Sequence, residues 1–201
     1  MSDGSKSKRA KVAETKLDMV PVTNQSLAVS ESATNKNKLQ GSTVALTGHT
    51  KPIFSISFSP NGENLASASL DETILLWDSF GENKNYNVLT GHKNAVLNVK
   101  WLTNQSLVSV SADKLVSLWD GNKGVRIRKY TEHDGIVNTC SVCTGDSNLF
   151  VTGSDDGKLL VWDVREKASV SSIECEYPVL SSCLNESGSA VYIGGIDNSI
   201  T

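Results

Sequence analysis

Four kinds of side chain with complementary hydrogen-bonding chemistry recur three times in this chain of 201 residues. Each set has a Trp, a Ser or Thr ten residues before it, an Asp six residues before it, and a His further upstream. An indole N–H can only donate, a hydroxyl or a neutral imidazole can donate and accept, and a carboxylate can only accept. The four groups can therefore form a hydrogen-bonded chain that ends at the carboxylate. The sets are His49, Ser67, Asp71 and Trp77; His92, Ser109, Asp113 and Trp119; and His133, Thr152, Asp156 and Trp162.

Two other motifs could carry chemistry. Cys140 and Cys143 are spaced like a redox pair or half of a zinc site. However, Cys140 aligns between the repeats with Ile56, Val99 and Cys183, which predicts a core position for all four. The adjacent carboxyls of Asp155 and Asp156 could in principle perform acid–base chemistry. Since the chain's three histidines all belong to the sets above, none is left to assist, and we expect no catalytic residue, metal site or cofactor.

Short apolar segments separated by turns must position these sets. In the first unit they are residues 53–58, 65–68, 73–77 and 86–89, and the next two units repeat the plan. The three tryptophans of the sets are 42 and 43 residues apart. Such a period, with about four short strands per unit, predicts an all-β propeller whose four-stranded blades surround a central axis.

The dipeptides that begin and end each unit resemble those of the WD-repeat family. Gly48-His49 precedes Trp77-Asp78, and the pattern recurs in the next two units, with Glu132 in the Gly position of the third. The resemblance covers residues 44–201. In that family the four positions of each set form a buried hydrogen-bonded chain, so the resemblance implies the same for the three sets here.

The repeat count predicts an incomplete ring. A fourth unit has Glu176 in the His position and Ile193 in the hydroxyl position, and its Trp would fall beyond Thr201. Val44-Ala45-Leu46 looks like the outer strand of a last blade. We therefore expect three full blades and most of a fourth, in a chain that is truncated at its C-terminus.

Three segments carry a resemblance that is closer than the repeat itself: residues 74–81 with Asn85-Tyr86, residues 153–168, and residues 194–198. They resemble the family of 40 kDa WD-repeat proteins of the U5 small nuclear ribonucleoprotein (snRNP). This resemblance implies seven blades, a nuclear location, and a role as a non-catalytic scaffold subunit of the spliceosome in pre-mRNA splicing. The implied partners are the large central protein of the U5 snRNP and other splicing factors, with RNA reached indirectly.

The charge is unevenly distributed along the chain. Residues 1–40 carry a net charge of +3 and lack periodicity, so we expect a disordered tail before a propeller at residues 41–201. The tail contains a cluster of basic residues of the nuclear-localisation type. The alternative is that these residues are simply solvated charges without such a role. The remaining residues carry −6, which argues against direct binding of a phosphate backbone. The cluster comprises Lys6, Lys8, Arg9 and Lys11.

We expect partners to bind the rim of the propeller at the end that bears the His and Asp positions. Several residues there are apolar, which is typical of a protein interface, and we expect neither a small-molecule substrate nor a membrane contact. Two alternatives remain: Arg165, in a Trp-Asp-x-Arg motif, could contact the adaptor of a cullin-RING ubiquitin ligase, or the chain could be a generic WD-repeat scaffold. The predicted rim residues are Pro52, Phe54, Leu70, Ala95, Leu97, Ala112, Ile136, Asn138 and Asp155.

Overall fold

The structure is a computed structural model that describes residues 44–80, 83–196 and 200–201. Leu46–Thr201 form one compact unit. The basic cluster at residues 6–11 lies outside the described residues, as do residues 197–199 of the fourth unit. Within the described part of the chain, no helix has the length and hydropathy needed to cross a membrane.

Among the described residues, fourteen strands form three four-stranded antiparallel sheets and one two-stranded sheet, each in chain order. Blade 1 contains β1 (Ile53–Phe58), β2 (Asn64–Ser69), β3 (Ile74–Asp78) and β4 (Asn85–Leu89). Blade 2 contains β5 (Val96–Trp101), β6 (Ser106–Ser111), β7 (Val116–Asp120) and β8 (Val125–Tyr130). Blade 3 contains β9 (Val137–Val142), β10 (Leu149–Ser154), β11 (Lys158–Asp163) and β12 (Ser171–Glu174), and blade 4 contains β13 (Ser181–Leu184) and β14 (Val191–Gly194). The predicted all-β architecture of four-stranded propeller blades is confirmed.

The turn between the second and third strands has the same backbone conformation in each full blade. The residue after the Asp of each set adopts a left-handed φ, which is 71° at Glu72, 69° at Lys114 and 74° at Gly157. Its N–H donates to the carbonyl oxygen of a serine three residues earlier, at 3.1–3.3 Å. The three turns are therefore structurally equivalent even though their side chains differ.

Apolar side chains from successive blades fill the space between the sheets. Leu76 of blade 1 packs with Val99 and Trp101 of blade 2, and Leu118 of blade 2 packs with Phe150 and Trp162 of blade 3. A third cluster joins blades 3 and 4. Because each interface buries the faces of two sheets, burial of apolar area holds neighbouring blades in fixed relation.

The predicted core role holds at two of the four aligned positions. Val99 and Cys140 are buried, and burial raises the pKa of the Cys140 thiol to about 12, so the thiol stays protonated and unreactive. The prediction is wrong for Ile56, which is 61% exposed, because no described residue packs on the face of blade 1 that is turned away from blade 2. It is also wrong for Cys183, which is exposed on the two-stranded sheet, as is its cross-strand neighbour Tyr192. Residues 44–46, expected as an outer strand, form no β-ladder among the described residues.

Candidate functional site

The second set of four side chains forms one hydrogen-bonded chain inside blade 2. Trp119 Nε1 donates to Ser109 Oγ at 2.7 Å, and Ser109 Oγ lies 2.8 Å from His92 Nε2. His92 Nδ1 lies 2.9 Å from Asp113 Oδ2. Since an ionised carboxylate can only accept, Nδ1 carries the ring proton, and Nε2 accepts from the serine hydroxyl. Each group in the chain therefore has its partner.

The first and third sets have the same order and nearly the same distances. Trp77 Nε1 donates to Ser67 Oγ at 2.9 Å, and Trp162 Nε1 donates to Thr152 Oγ1 at 2.8 Å. His49 lies 2.8 Å from both Ser67 Oγ and Asp71 Oδ2. His133 lies 2.8 Å from Thr152 Oγ1 and 2.9 Å from Asp156 Oδ2.

Each carboxylate also joins the loop that enters its blade to the turn between the second and third strands. Asp113 accepts the backbone N–H of Lys93 at 2.8 Å and that of Leu115 at 3.0 Å. Asp71 and Asp156 accept the equivalent backbone N–H groups. The network therefore fixes two loops at one end of every full blade.

These hydrogen bonds keep the carboxyl groups ionised. Burial acts to raise the pKa of Asp113, but hydrogen bonds from the His92 ring and from the Lys93 backbone outweigh it and lower this pKa to about 2. The pKa of Asp71 is likewise about 2: hydrogen bonds from Thr73 and His49 outweigh the effect of burial. Because the carboxylates are ionised and both ring nitrogens of each histidine are engaged, the network can position loops but has no free acid or base.

Six of the nine predicted rim residues lie on these positioned loops, and the other three, Phe54, Leu97 and Asn138, are the second residues of strands β1, β5 and β9. In each full blade a backbone N–H of the turn donates to a carbonyl oxygen of the entry loop at 2.9 Å, for example Leu70 to Pro52 and Asp155 to Ile136. Most of the rim side chains are open to solvent. The exposed ones are Pro52, Phe54, Leu70, Ile136 and Asp155, and the half-buried ones are Leu97, Ala112 and Asn138.

Ala95 is the exception on the rim. Its side chain is only 5% exposed, because the residue lies beneath the turn of blade 2, where its carbonyl oxygen accepts the N–H of Ala112 at 2.9 Å. It therefore offers almost no side-chain surface to a partner, and we leave it out of the proposed binding surface.

Several contacts between blades were not anticipated from the sequence. Trp101 Nε1 donates to the carbonyl oxygen of Ser57 at 3.0 Å, joining the inner strands of blades 1 and 2. Asn87 Nδ2 donates to the carbonyl oxygen of Gly121 at 3.2 Å, and Asn138 Nδ2 donates to that of Val179 at 3.0 Å. Trp101 aligns with the apolar residues Phe58 and Val142, which could have indicated its burial, whereas nothing in the repeat pattern marks the two asparagines.

Arg165 lies on a turn at the other end of blade 3. Its side chain is 66% exposed, and its Nε is 3.8 Å from Asp163 Oδ1. Arg128 of blade 2 donates to the carbonyl oxygens of Val164, at 2.6 Å, and Glu166. The neighbouring blade therefore fixes the backbone on which Arg165 is presented.

Four-stranded blades with a Trp–hydroxyl–His–Asp network at one end define a WD-repeat propeller architecture. The chain belongs to the WD40 family (WD domain, G-beta repeat), whose profile matches residues 40–78, 83–120 and 124–163.

Among curated proteins, the chain is similar to subunits and factors of the splicing machinery. It is 38% identical to the U5 small nuclear ribonucleoprotein 40 kDa protein of Dictyostelium discoideum, over 82% of this chain and 46% of the relative. It is 39% identical to the pre-mRNA-splicing factor cwf17 of Schizosaccharomyces pombe, over 76% of this chain and 45% of the relative. It is 38% identical to the U5 small nuclear ribonucleoprotein 40 kDa protein of Homo sapiens, over 80% of this chain and 45% of the relative. The chain thus spans less than half the length of these relatives.

Proposed function

We propose that this chain is a non-catalytic protein-interaction scaffold of the splicing machinery, acting in the nucleus as part of a U5-type particle. The observation that supports the proposal most is the combination of an exposed, partly apolar rim with the similarity to two kinds of splicing protein. The rim is held by buried networks, so it is preformed. A preformed surface binds with a lower entropic cost than one that must become ordered.

The chemistry of the network favours binding over catalysis. The three carboxylates have lowered pKa values, and the histidines that contact them have no unoccupied ring nitrogen. A general acid or base needs a pKa near the working pH and access to a substrate proton. The carboxylates do not meet the first requirement, and the hydrogen-bonded histidines do not meet the second.

The charge favours a protein partner over RNA. Residues 41–201 carry −6 by count, and a polyanion would be repelled over most of this surface. Proteins of the particle, including its large central protein and other splicing factors, are therefore the proposed partners, and RNA is reached through them. Nuclear entry is proposed to depend on Lys6, Lys8, Arg9 and Lys11.

Purification of the tagged chain from nuclear extract tests this proposal. We expect small nuclear RNA of the U5 type and splicing proteins to be recovered together, and digestion of the RNA should leave the protein contact intact. Recovery of a cullin with its propeller adaptor would instead indicate a substrate receptor. Recovery of neither set would leave a generic WD-repeat scaffold and refute the splicing role.

The ligase alternative has one structural observation in its favour. Arg165 is exposed on a turn that Arg128 fixes, so its guanidinium is available to a partner at the end of the blade opposite the rim. Arg165→Ala should abolish recovery of a cullin adaptor if this alternative holds. The same variant should leave recovery of splicing proteins unchanged, because those partners are proposed to bind the rim.

A further inference from the structure

The rims of blades 2 and 3 carry exposed residues of opposite charge. Lys93 and Asp134 each directly follow the network histidine of their blade, and the backbone N–H of each donates to the network carboxylate. Lys114 lies in the turn of blade 2, and Asp155 lies in the corresponding turn of blade 3. The rim is therefore positive at blade 2 and negative at blade 3.

The charges of this pair of blades are exposed and do not neutralise each other. Lys93, Lys114, Asp134 and Asp155 are all exposed, and no ion pair within 4.0 Å involves any of them among the residues that the structure describes. Asp155 Oδ1 accepts a hydrogen bond from Asn138 Nδ2 at 2.6 Å, which orients the carboxylate without removing its charge. Both signs of charge thus remain available to a partner.

Charged residues in the adjoining blades show how far this separation of charge reaches. On the acidic side, Glu176 is exposed, and the segment that carries it is tied to the turn of blade 3 by a hydrogen bond from Cys175 N to the Gly157 oxygen at 2.7 Å. In blade 1 the entry loop and the turn together carry one charge of each sign, at Lys51 and Glu72. The change of sign from one full blade to the next therefore falls at the boundary between blades 2 and 3.

Apolar side chains lie at the same end of these blades as the two charged groups. Ile136 is 37% exposed, and Leu97 and Ala112 are half-buried on the same end of blades 2 and 3. Contact with them would exclude water and strengthen nearby charge pairing. An all-acidic or all-basic partner would satisfy one half of this surface and be repelled by the other.

We propose that the boundary between blades 2 and 3, formed by Lys93, Lys114, Ile136, Asp134 and Asp155, binds a protein segment with separated charges. That segment has an apolar side chain flanked by carboxylates on one side and by guanidinium or ammonium groups on the other. The carboxylates contact blade 2 and the basic groups contact blade 3, so the charges fix the direction in which the segment lies. This inference deepens the proposed scaffold function and rests on the rim being its binding surface.

Three synthetic peptides with the same Leu-Phe centre and blocked ends test the inference on the full chain. One has two Glu before and two Arg after the centre, one has Glu on both sides, and one has Arg on both sides. Fluorescence anisotropy should show that the wild-type chain binds the mixed peptide roughly fivefold tighter than either of the others, since each exposed charge pair adds about twofold.

Two charge-reversal variants should change this preference in opposite directions. The variant Lys93→Glu/Lys114→Glu makes the boundary entirely negative, and it should bind the Arg peptide tightest. The variant Asp134→Lys/Asp155→Lys makes it entirely positive, and it should bind the Glu peptide tightest. Both are compatible with the backbone, because Glu72 already holds the left-handed φ of position 114 and Lys93 already occupies the position equivalent to 134.

Outcomes of this experiment are independent of the splicing proposal. The same order of peptide affinities in all three proteins, or no binding of any peptide to the wild-type chain, would overturn the inference. Should a double variant not fold, the exchange Lys93→Asp/Asp134→Lys keeps the net charge, and it should weaken the preference for the mixed peptide. Recovery of splicing components by the wild-type chain is judged separately, so the scaffold function can stand while the charge-separated site fails.

Discussion

Removal of a single network carboxylate, by Asp113→Ala, should destabilise blade 2 and its rim. Asp113 accepts three hydrogen bonds, from His92 Nδ1 at 2.9 Å, from Lys93 N at 2.8 Å and from Leu115 N at 3.0 Å. His92 is 6% exposed, so its ring N–H would be left buried and without an acceptor. The two backbone groups lie near the rim, where water can replace part of their bonding.

The expected cost follows from these contacts. A buried donor that loses its acceptor costs about 1–3 kcal/mol, and the pair involves an ionised carboxylate, which favours the upper half of that range. We therefore expect a loss of about 2–3 kcal/mol in the free energy of unfolding. With a urea dependence of about 2 kcal/mol/M for a chain of this size, the midpoint should fall by about 1 M.

Urea denaturation followed by tryptophan fluorescence measures this loss, because Trp119 is part of the same network. Asp155→Ala is the matched control, because this exposed aspartate lies in the equivalent turn of blade 3 and accepts one side-chain hydrogen bond, from Asn138. Its effect on the free energy of unfolding should stay within about 0.5 kcal/mol. Equal midpoints for the two variants would refute the reasoning that the network, rather than the turn, carries the stability.

Four further predictions concern acid stability, packing, RNA and import. The pKa values of Asp71 and Asp113 are about 2, against an ordinary 3.8, so each ionised carboxylate stabilises the fold by about 1–2 kcal/mol above about pH 4, and this stabilisation is lost as the pH falls towards 2. Urea melts between pH 4 and 2 should show the free energy of unfolding falling with pH, and falling less steeply in Asp113→Asn. An equally steep pH dependence in that variant would contradict the assignment. Gly153→Ala should lower the free energy of unfolding in urea melts by about 1–3 kcal/mol, because the new methyl group would collide with the side chain of Val179. Gly194→Ala should lower it less, since its Cβ would be 3.9 Å from Ser181, and equal losses in the two variants would count against this packing. In mobility-shift assays the purified chain should bind protein-free small nuclear RNA only weakly, and tight, salt-sensitive binding would refute a purely protein contact. Replacing Lys8, Arg9 and Lys11 by Ala in a fluorescent fusion should leave the protein in the cytoplasm, and unchanged nuclear accumulation would refute the assigned import signal.

The blade architecture could be predicted because it depends on local pattern. Alternating apolar residues, turns and the recurrence of Trp predicted the first strand at residues 53–58, where the structure has Ile53–Phe58. The two ends of the network followed from side-chain chemistry, because the indole can only donate and the carboxylate can only accept. The buried chain that joins all four groups was implied by the resemblance to the WD-repeat family.

Features that depend on neighbouring blades could not be predicted in the same way. Ile56 and Cys140 occupy equivalent positions of the repeat, yet one is 61% exposed and the other is buried, because only Cys140 has a sheet packed on its face. Ala95 is buried by the turn above it. The bonds from Asn87, Asn138 and Arg128 cross between blades, and repeat alignment compares blades without placing them side by side.

The most direct test of the scaffold role is recovery of U5 small nuclear RNA with tagged protein from nuclear extract, compared between the wild-type chain and Phe54→Asp/Leu97→Asp. Phe54 is 51% exposed on the rim, and Leu97 occupies its equivalent in blade 2. Val125→Asp/Ile127→Asp is the control, since these residues are 51% and 54% exposed on the outer strand β8. We predict recovery with the wild-type chain and the control, and loss with the rim variant. No recovery with the wild-type chain, or equal recovery with all three proteins, would contradict the proposal.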